Sequence, residues 1–165
     1  DQLRSRVEEV VIEEGDPVDF AATGENVIVR LSGNVNVEEV YKGCVLSHRN
    51  SPIAPVTTFI AQILVVDLPE NRPILSAGYS GIFNAHTVEE EIEVVNIGHL
   101  VERKHGEVTK RRVKFARNGQ TVTVKLQTAR PVVLDVFENR NFLGRFTIRD
   151  EGRTIAIGIV TRLLD

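Results

Sequence analysis

The chain contains no Met and no Trp, a single Cys, and only two Tyr and seven Phe among its 165 residues. With aromatics this scarce, the 42% of hydrophobic residues is mostly Val, Ile and Leu, which favours strands over long helices as the framework. The expected class is therefore all-β. The lone Cys44 excludes an intramolecular disulfide, and within the apolar run Gly43-Cys44-Val45-Leu46 it reads as a buried small hydrophobe. A chain that starts at Asp1 without any Met is expected to lack upstream residues. Also missing is an excess of basic charge: the formal net charge is -3 and the pI about 5.9. That argues against a general nucleic-acid binder, and no DNA partner is expected, because phosphate neutralisation normally needs a surplus of Lys and Arg. No apolar run approaches the ~18 residues of a membrane span, and there is no signal peptide and no Asn-x-Ser/Thr sequon. The expectation is a soluble, cytoplasmic chain with no membrane partner.

Motifs of catalysis are absent as well. A phosphate-binding loop needs Gly-x4-Gly-Lys-Ser/Thr, whose amides and lysine wrap the phosphates while the hydroxyl reaches magnesium, and no such string occurs. His48, His86, His99 and His105 show no His-x3-His spacing, so no zinc site is expected. Ser47 and His48 are adjacent, and neighbours on a strand point to opposite faces. Glu89-Glu90-Glu91-x-Glu93 reads as a solvated acidic edge rather than an acid/base pair. No catalytic residue and no cofactor is assigned to this chain.

What is present is alternation. Val27 to Leu31, Thr121 to Leu126 and Arg145 to Arg149 alternate apolar with other residues and read as half-buried strands. Thr57 to Val66 and Thr154 to Val160 are apolar on both faces and read as central strands buried from two sides. Turn residues punctuate these runs at Glu14 to Pro17, Gly33-Asn34, Asn71 to Pro73, Lys104 to Gly106, Asn118-Gly119 and Asp150 to Gly152. Asn118-Gly119 is the strongest hairpin signal, and Asp150-Glu151-Gly152 a second. Ser47 to Pro55 interrupts the pattern with two prolines and reads as a linker. Charge is segregated: residues 1 to 25 hold eight acids against two arginines, whereas Arg103 to Arg117 holds seven basic residues against Glu107 alone. Many short strands suggest a barrel or sandwich, and their density in Val, Ile and Leu speaks for a filled core rather than a ligand carrier.

Gly144-Arg145-Phe146-Thr147-Ile148-Arg149-Asp150, followed by Glu151-Gly152-Arg153-Thr154-Ile155-Ala156-Ile157-Gly158, closely resembles the signature ending the last barrel of elongation-factor-like translational GTPases. Gly24 to Val27, Thr58 to Ile63, Gly78-Tyr79 and His86-Thr87 with Glu89-Glu90 match in the same order. Within this superfamily the chain is most similar to the eukaryotic class-II release factors. Asp16 to Phe20 and Gly106 to Lys110 look more like the ribosome-rescue GTPase, which stays open beside the tRNA-carrying elongation factor.

The resemblance implies an all-β fold: a six-stranded antiparallel β-barrel of the elongation-factor C-terminal type over 55–165, preceded over 1–50 by the C-terminal half of the second barrel. It implies that GTP and magnesium belong to a domain of the parent absent here, and that the partners are the ribosome and the class-I release factor, bound through that factor's C-terminal domain. It places partner binding on Gly144, Arg145, Phe146, Thr147, Ile148, Arg149 and Asp150. Strand alternation puts Phe146 and Ile148 on one face and Arg145, Thr147 and Arg149 on the other. The two apolar residues are expected to pack the barrel. The arginines either pair with local acids such as Asp150 or Glu151 or present their planar forks to a partner. The basic stretch is expected to be a long polar hairpin loop, with Lys110, Arg111 and Arg112 as a secondary RNA contact.

Overall fold

The computed structural model describes residues 3–12, 15–33, 35–104 and 107–164. They divide into two compact units, Asp1–Tyr41 and Lys42–Asp165. In the first, β1 (Arg6–Ile12) pairs antiparallel with β2 (Val27–Ser32), and a short 3-10 turn covers Val37–Glu39. Of the turn signals, Asn34, Glu14, His105 and Gly106 lie outside the described residues.

The second unit carries the remaining elements: β3 (Pro55–Val65), β4 (Leu75–Ser76), β5 (Ser80–Ala85), β6 (Val88–Lys104), β7 (Glu107–Arg112), β8 (Phe115–Ala116), β9 (Thr121–Val133), the one-turn α1 (Asn141–Gly144), β10 (Arg145–Asp150) and β11 (Arg153–Leu163). The order β5-β10-β11-β3-β9-β6 closes through the pairing of β5 with β6. A closed antiparallel barrel of six strands results, as the sequence led us to expect. Strand β7 extends beyond it on β6, and β4 pairs separately with β8. Closure satisfies the amides and carbonyls that an open sheet would leave at its edges.

The interior is filled by inward residues of every barrel strand, among them Phe59, Ile63, Phe83, Val94, Val122, Leu126, Phe146, Ile148 and Val160. Phe59, Phe83 and Phe146 form a triangle with ring centroids 5.7, 6.0 and 5.0 Å apart. Each such ring stabilises the fold by ~1.5–3 kcal/mol through burial. Gly158 makes room for them: a Cβ there would stand 2.7 Å from both Phe146 Cζ and Ile63 Cγ2.

Three local expectations are corrected. Strands β3 and β11 are not buried from two sides, since Leu64 is 37% and Ile157 44% exposed. A barrel buries only its inner face, so these outward apolar residues meet solvent. Asn118-Gly119 turns the chain but joins no hairpin, because β8 pairs with β4 and β9 with β3 and β6. Its groups bond elsewhere: Gly119 N donates to Val65 O at 2.8 Å, and Asn118 Oδ1 accepts from Leu68 N at 2.9 Å. Cys44 is exposed, because Gly43 rather than the thiol is the buried member of its run, packed on Val88. By contrast Asp150 to Gly152 forms the expected hairpin. Asp150 pairs with Arg153, and Glu151 and Gly152 take φ of 47° and 77°, as a two-residue turn with positive φ at both positions demands.

Candidate functional site

Strand β10 and the loop before it build the site. Gly144 is buried, and a Cβ there would lie 2.4 Å from Phe137 Cα and 2.5 Å from Phe137 N. The glycine is required by this backbone approach and not by a positive φ. The facing loop is pinned at both ends, Phe137 N donating to Val160 O at 2.9 Å and Asp135 N to Leu143 O at 3.3 Å. Asp135 is its anchor. Its carboxylate accepts from Val136 N at 2.7 Å, Asn139 Nδ2 at 3.3 Å and Arg140 Nη1 at 2.5 Å. Burial pushes this carboxyl up, but the donors, led by Arg140, outweigh it and hold the group below its ordinary 3.8.

On β10 the side chains divide as alternation requires. Phe146 and Ile148 are buried in the barrel, while Arg145 and Arg149 are exposed and Thr147 half-buried. Arg145 lies over the ring of Phe142, its Cζ 5.0 Å from the centroid, and Phe142 is itself 61% exposed. Arg149 Nη2 donates to Gly152 O at 2.8 Å and so closes the hairpin turn. Neither arginine takes a local acid as partner, contrary to the simpler expectation, because those acids are engaged elsewhere. Asp150 Oδ2 accepts from Tyr79 OH at 2.6 Å and from Arg72 Nη1 at 3.1 Å, and Glu151 accepts from Asn71 Nδ2 at 3.0 Å. Arg72 also lies 3.9 Å above the Tyr79 ring. Burial, and then the Asp150 carboxylate, push the Tyr79 phenol upward. Asp150 thus ties the hairpin to the chain before β5.

Across the outer face, Asn84, Thr147, Ile157, Leu64 and Thr121 form one cross-strand row over β5, β10, β11, β3 and β9. The row floors an open depression of about 780 Å³ that Arg145 and Phe142 border. Asn84 Oδ1 is, among the described residues, the buried side-chain polar atom without a hydrogen-bond partner. Sequence reasoning missed Asn84, Leu64, Ile157 and Phe142. Three of them sit on other strands and give no local signal, whereas Phe142 stood two residues before the motif as an aromatic in a polar stretch.

The basic stretch lies apart from this face. It forms strand rather than loop: Lys110, Arg111 and Arg112 are exposed on β7, opposite Val101, Leu100 and His99 of β6.

Residues 58–161 match the model of the GTP-eEF1A C-terminal domain-like family. The chain belongs to that family. Relatives of this family member include the eukaryotic peptide chain release factor GTP-binding subunits of Zygosaccharomyces rouxii (35% identical, over 96% of this chain and 23% of the relative) and Kluyveromyces lactis (38%, over 90% and 21%). That of Schizosaccharomyces pombe is 33% identical over 93% of the chain and 22% of the relative. The chain spans about a fifth of the length of these curated relatives. The crystal structure of sup35 complexed with GDP superposes with a TM-score of 0.85 at 33% identity, over 98% of this chain and 38% of the solved one. A GTP-eEF1A C-terminal domain-like barrel is therefore the architecture of β3 to β11. The Gly-x4-Gly-Lys-Ser/Thr string is absent from the chain, and among the described residues no group of three or more His, Cys, Asp or Glu could hold a metal ion. No helix among them is long and apolar enough to cross a membrane.

Proposed function

We propose that this chain is the C-terminal region of a translation-termination GTPase, and that the outer face of β10 docks the stop-codon-reading class-I release factor through that factor's C-terminal domain. On this reading residues 1 to about 50 belong to the preceding barrel domain, and GTP hydrolysis with magnesium resides in a domain outside this chain. Support comes from the release-factor names of the relatives, the GRFTIRD motif and the face itself. The single observation that carries the docking site is Arg145, held over Phe142 at the rim of a depression in which Leu64 and Ile157 are exposed and, among the described residues, without an ion-pair partner. An exposed, pre-oriented guanidinium beside apolar surface has the make-up of an interface hot spot.

Titration calorimetry against the class-I release factor and its ribosome-rescue counterpart tests this. We expect at least tenfold preference for the class-I factor, and Arg145→Ala to weaken it by ~2 kcal/mol, about thirtyfold, with the melting temperature unchanged. Preference for the rescue counterpart reassigns the chain to ribosome rescue. A wild-type affinity for Arg145→Ala refutes the docking face. Arg149→Ala is the poorer probe, since Arg149 also closes the turn at Gly152.

A further inference from the structure

We infer that the end of β6–β7 and the corner that follows it form a binding site for single-stranded RNA, separate from the β10 face. Among the described residues strand β7 pairs with β6 alone, so its other side carries no further strand. Along it Lys110, Arg111 and Arg112 are exposed, and among the described residues none of the three has an ion-pair partner. Lys110 and Arg112 share one face of the strand about 7 Å apart, on the order of the spacing of successive phosphates in an extended RNA strand. Unpaired cations on an exposed edge recruit a polyanion by releasing its counterions.

The second observation distinguishes RNA from an acidic peptide. Three residues beyond Arg112 the chain presents Phe115, 47% exposed on β8, with Arg117 Cζ 5.6 Å from its ring centroid. Pairing of Phe115 with Ser76 holds the ring at the surface. A basic track ending on a solvent-facing aromatic beside an arginine is the arrangement by which proteins seize single-stranded nucleic acid: phosphates on the cations, a base stacked on the ring. Carboxylates would use the cations and have no use for the ring. The overall charge of -3 does not oppose this, because eight of the acids lie in residues 1 to 25 and the basic stretch itself holds seven basic residues against one acid.

The experiment is fluorescence anisotropy of the whole chain with a fluorescein-labelled ten-residue oligouridine from 50 to 200 mM salt. Engagement of five cations, Lys114 and Arg117 included, should lower the affinity about a hundredfold over that range. The triple variant Lys110→Gln, Arg111→Gln, Arg112→Gln should bind at least tenfold more weakly and flatten the log–log salt slope by about 2. Phe115→Leu, which keeps apolar bulk at β8, should weaken binding about tenfold at unchanged slope. Circular dichroism melts confirm that both variants fold. Wild-type affinity in the triple variant overturns the site. A polyglutamate that competes as well as oligouridine, with Phe115→Leu neutral, overturns RNA in favour of an acidic partner. Both variants should bind the class-I release factor normally, so this site and the β10 face stand or fall separately.

Discussion

Replacing Phe146 by alanine is the sharpest test of how the docking motif is supported. Its ring is 4% exposed, 5.0 Å from Phe83 and 6.0 Å from Phe59, and it lies under Gly158 of β11. Truncation removes the burial free energy of the ring, ~2–3 kcal/mol, and two aromatic contacts worth ~0.5–1.5 kcal/mol each. Strand pairing on both sides of β10 limits collapse into the cavity, so the loss should be ~4 kcal/mol. Against a total of ~5–15 kcal/mol for a domain, that lowers the melting temperature by roughly 10–15 °C. The geometry also predicts a coupling. Gly158→Ala alone should cost ~1–3 kcal/mol by overpacking, because its Cβ would stand 2.7 Å from Phe146 Cζ. In the Phe146→Ala background that clash is gone and the new methyl occupies part of the cavity, while the contact with Ile63 remains. The double variant should be more stable than the sum of single losses by at least ~1 kcal/mol. Urea unfolding followed by near-ultraviolet dichroism of Tyr79, which lies in the same unit, reads all four corners of the cycle. Strict additivity, or a Phe146→Ala loss below ~2 kcal/mol, would refute this account of the core beneath β10.

Two further outcomes follow from the loop before β10. Gly144→Ala drives a methyl into the Phe137 backbone and should destabilise the barrel by ~3 kcal/mol, seen as a shifted urea midpoint; a neutral substitution would show that the loop yields freely. Because the folded Asp135 carboxyl is held below its ordinary 3.8, its contribution is complete at neutral pH and is lost as pH falls through that value toward its lower folded one. Asp135→Asn should therefore be less stable than the parent at pH 7, and the gap should narrow between pH 4 and pH 2. A gap that stays constant or widens in acid contradicts the Arg140–Asp135 assignment.

Much of the fold was legible in the residues taken one after another. Alternation in Arg145 to Arg149 decides which side chains enter the core, because a strand's side-chain period is two wherever it is placed, and Glu151-Gly152 demands a tight turn for backbone reasons alone. The motif Gly144 to Asp150 and its resemblance to elongation-factor-like barrels were likewise present in the order of residues. Other features depended on distant partners. Runs apolar on both faces at Thr57 to Val66 and Thr154 to Val160 suggested two-sided burial. Only closure of the barrel revealed that Leu64 and Ile157 face outward beside Thr147. Asn118-Gly119 has hairpin chemistry, yet pairing of β8 with β4 sends its hydrogen bonds to Val65 and Leu68, and Cys44 stays exposed because Gly43 takes the close contact. Asp150 and Glu151 stand beside Arg149 in sequence, yet Arg72, Tyr79 and Asn71, more than seventy positions away from them, occupy both acids. Local sequence determined which strands and turns can form, since those rest on backbone sterics and side-chain alternation. Tertiary structure decided which charges remain free to meet another molecule, since that depends on what the rest of the chain has already taken.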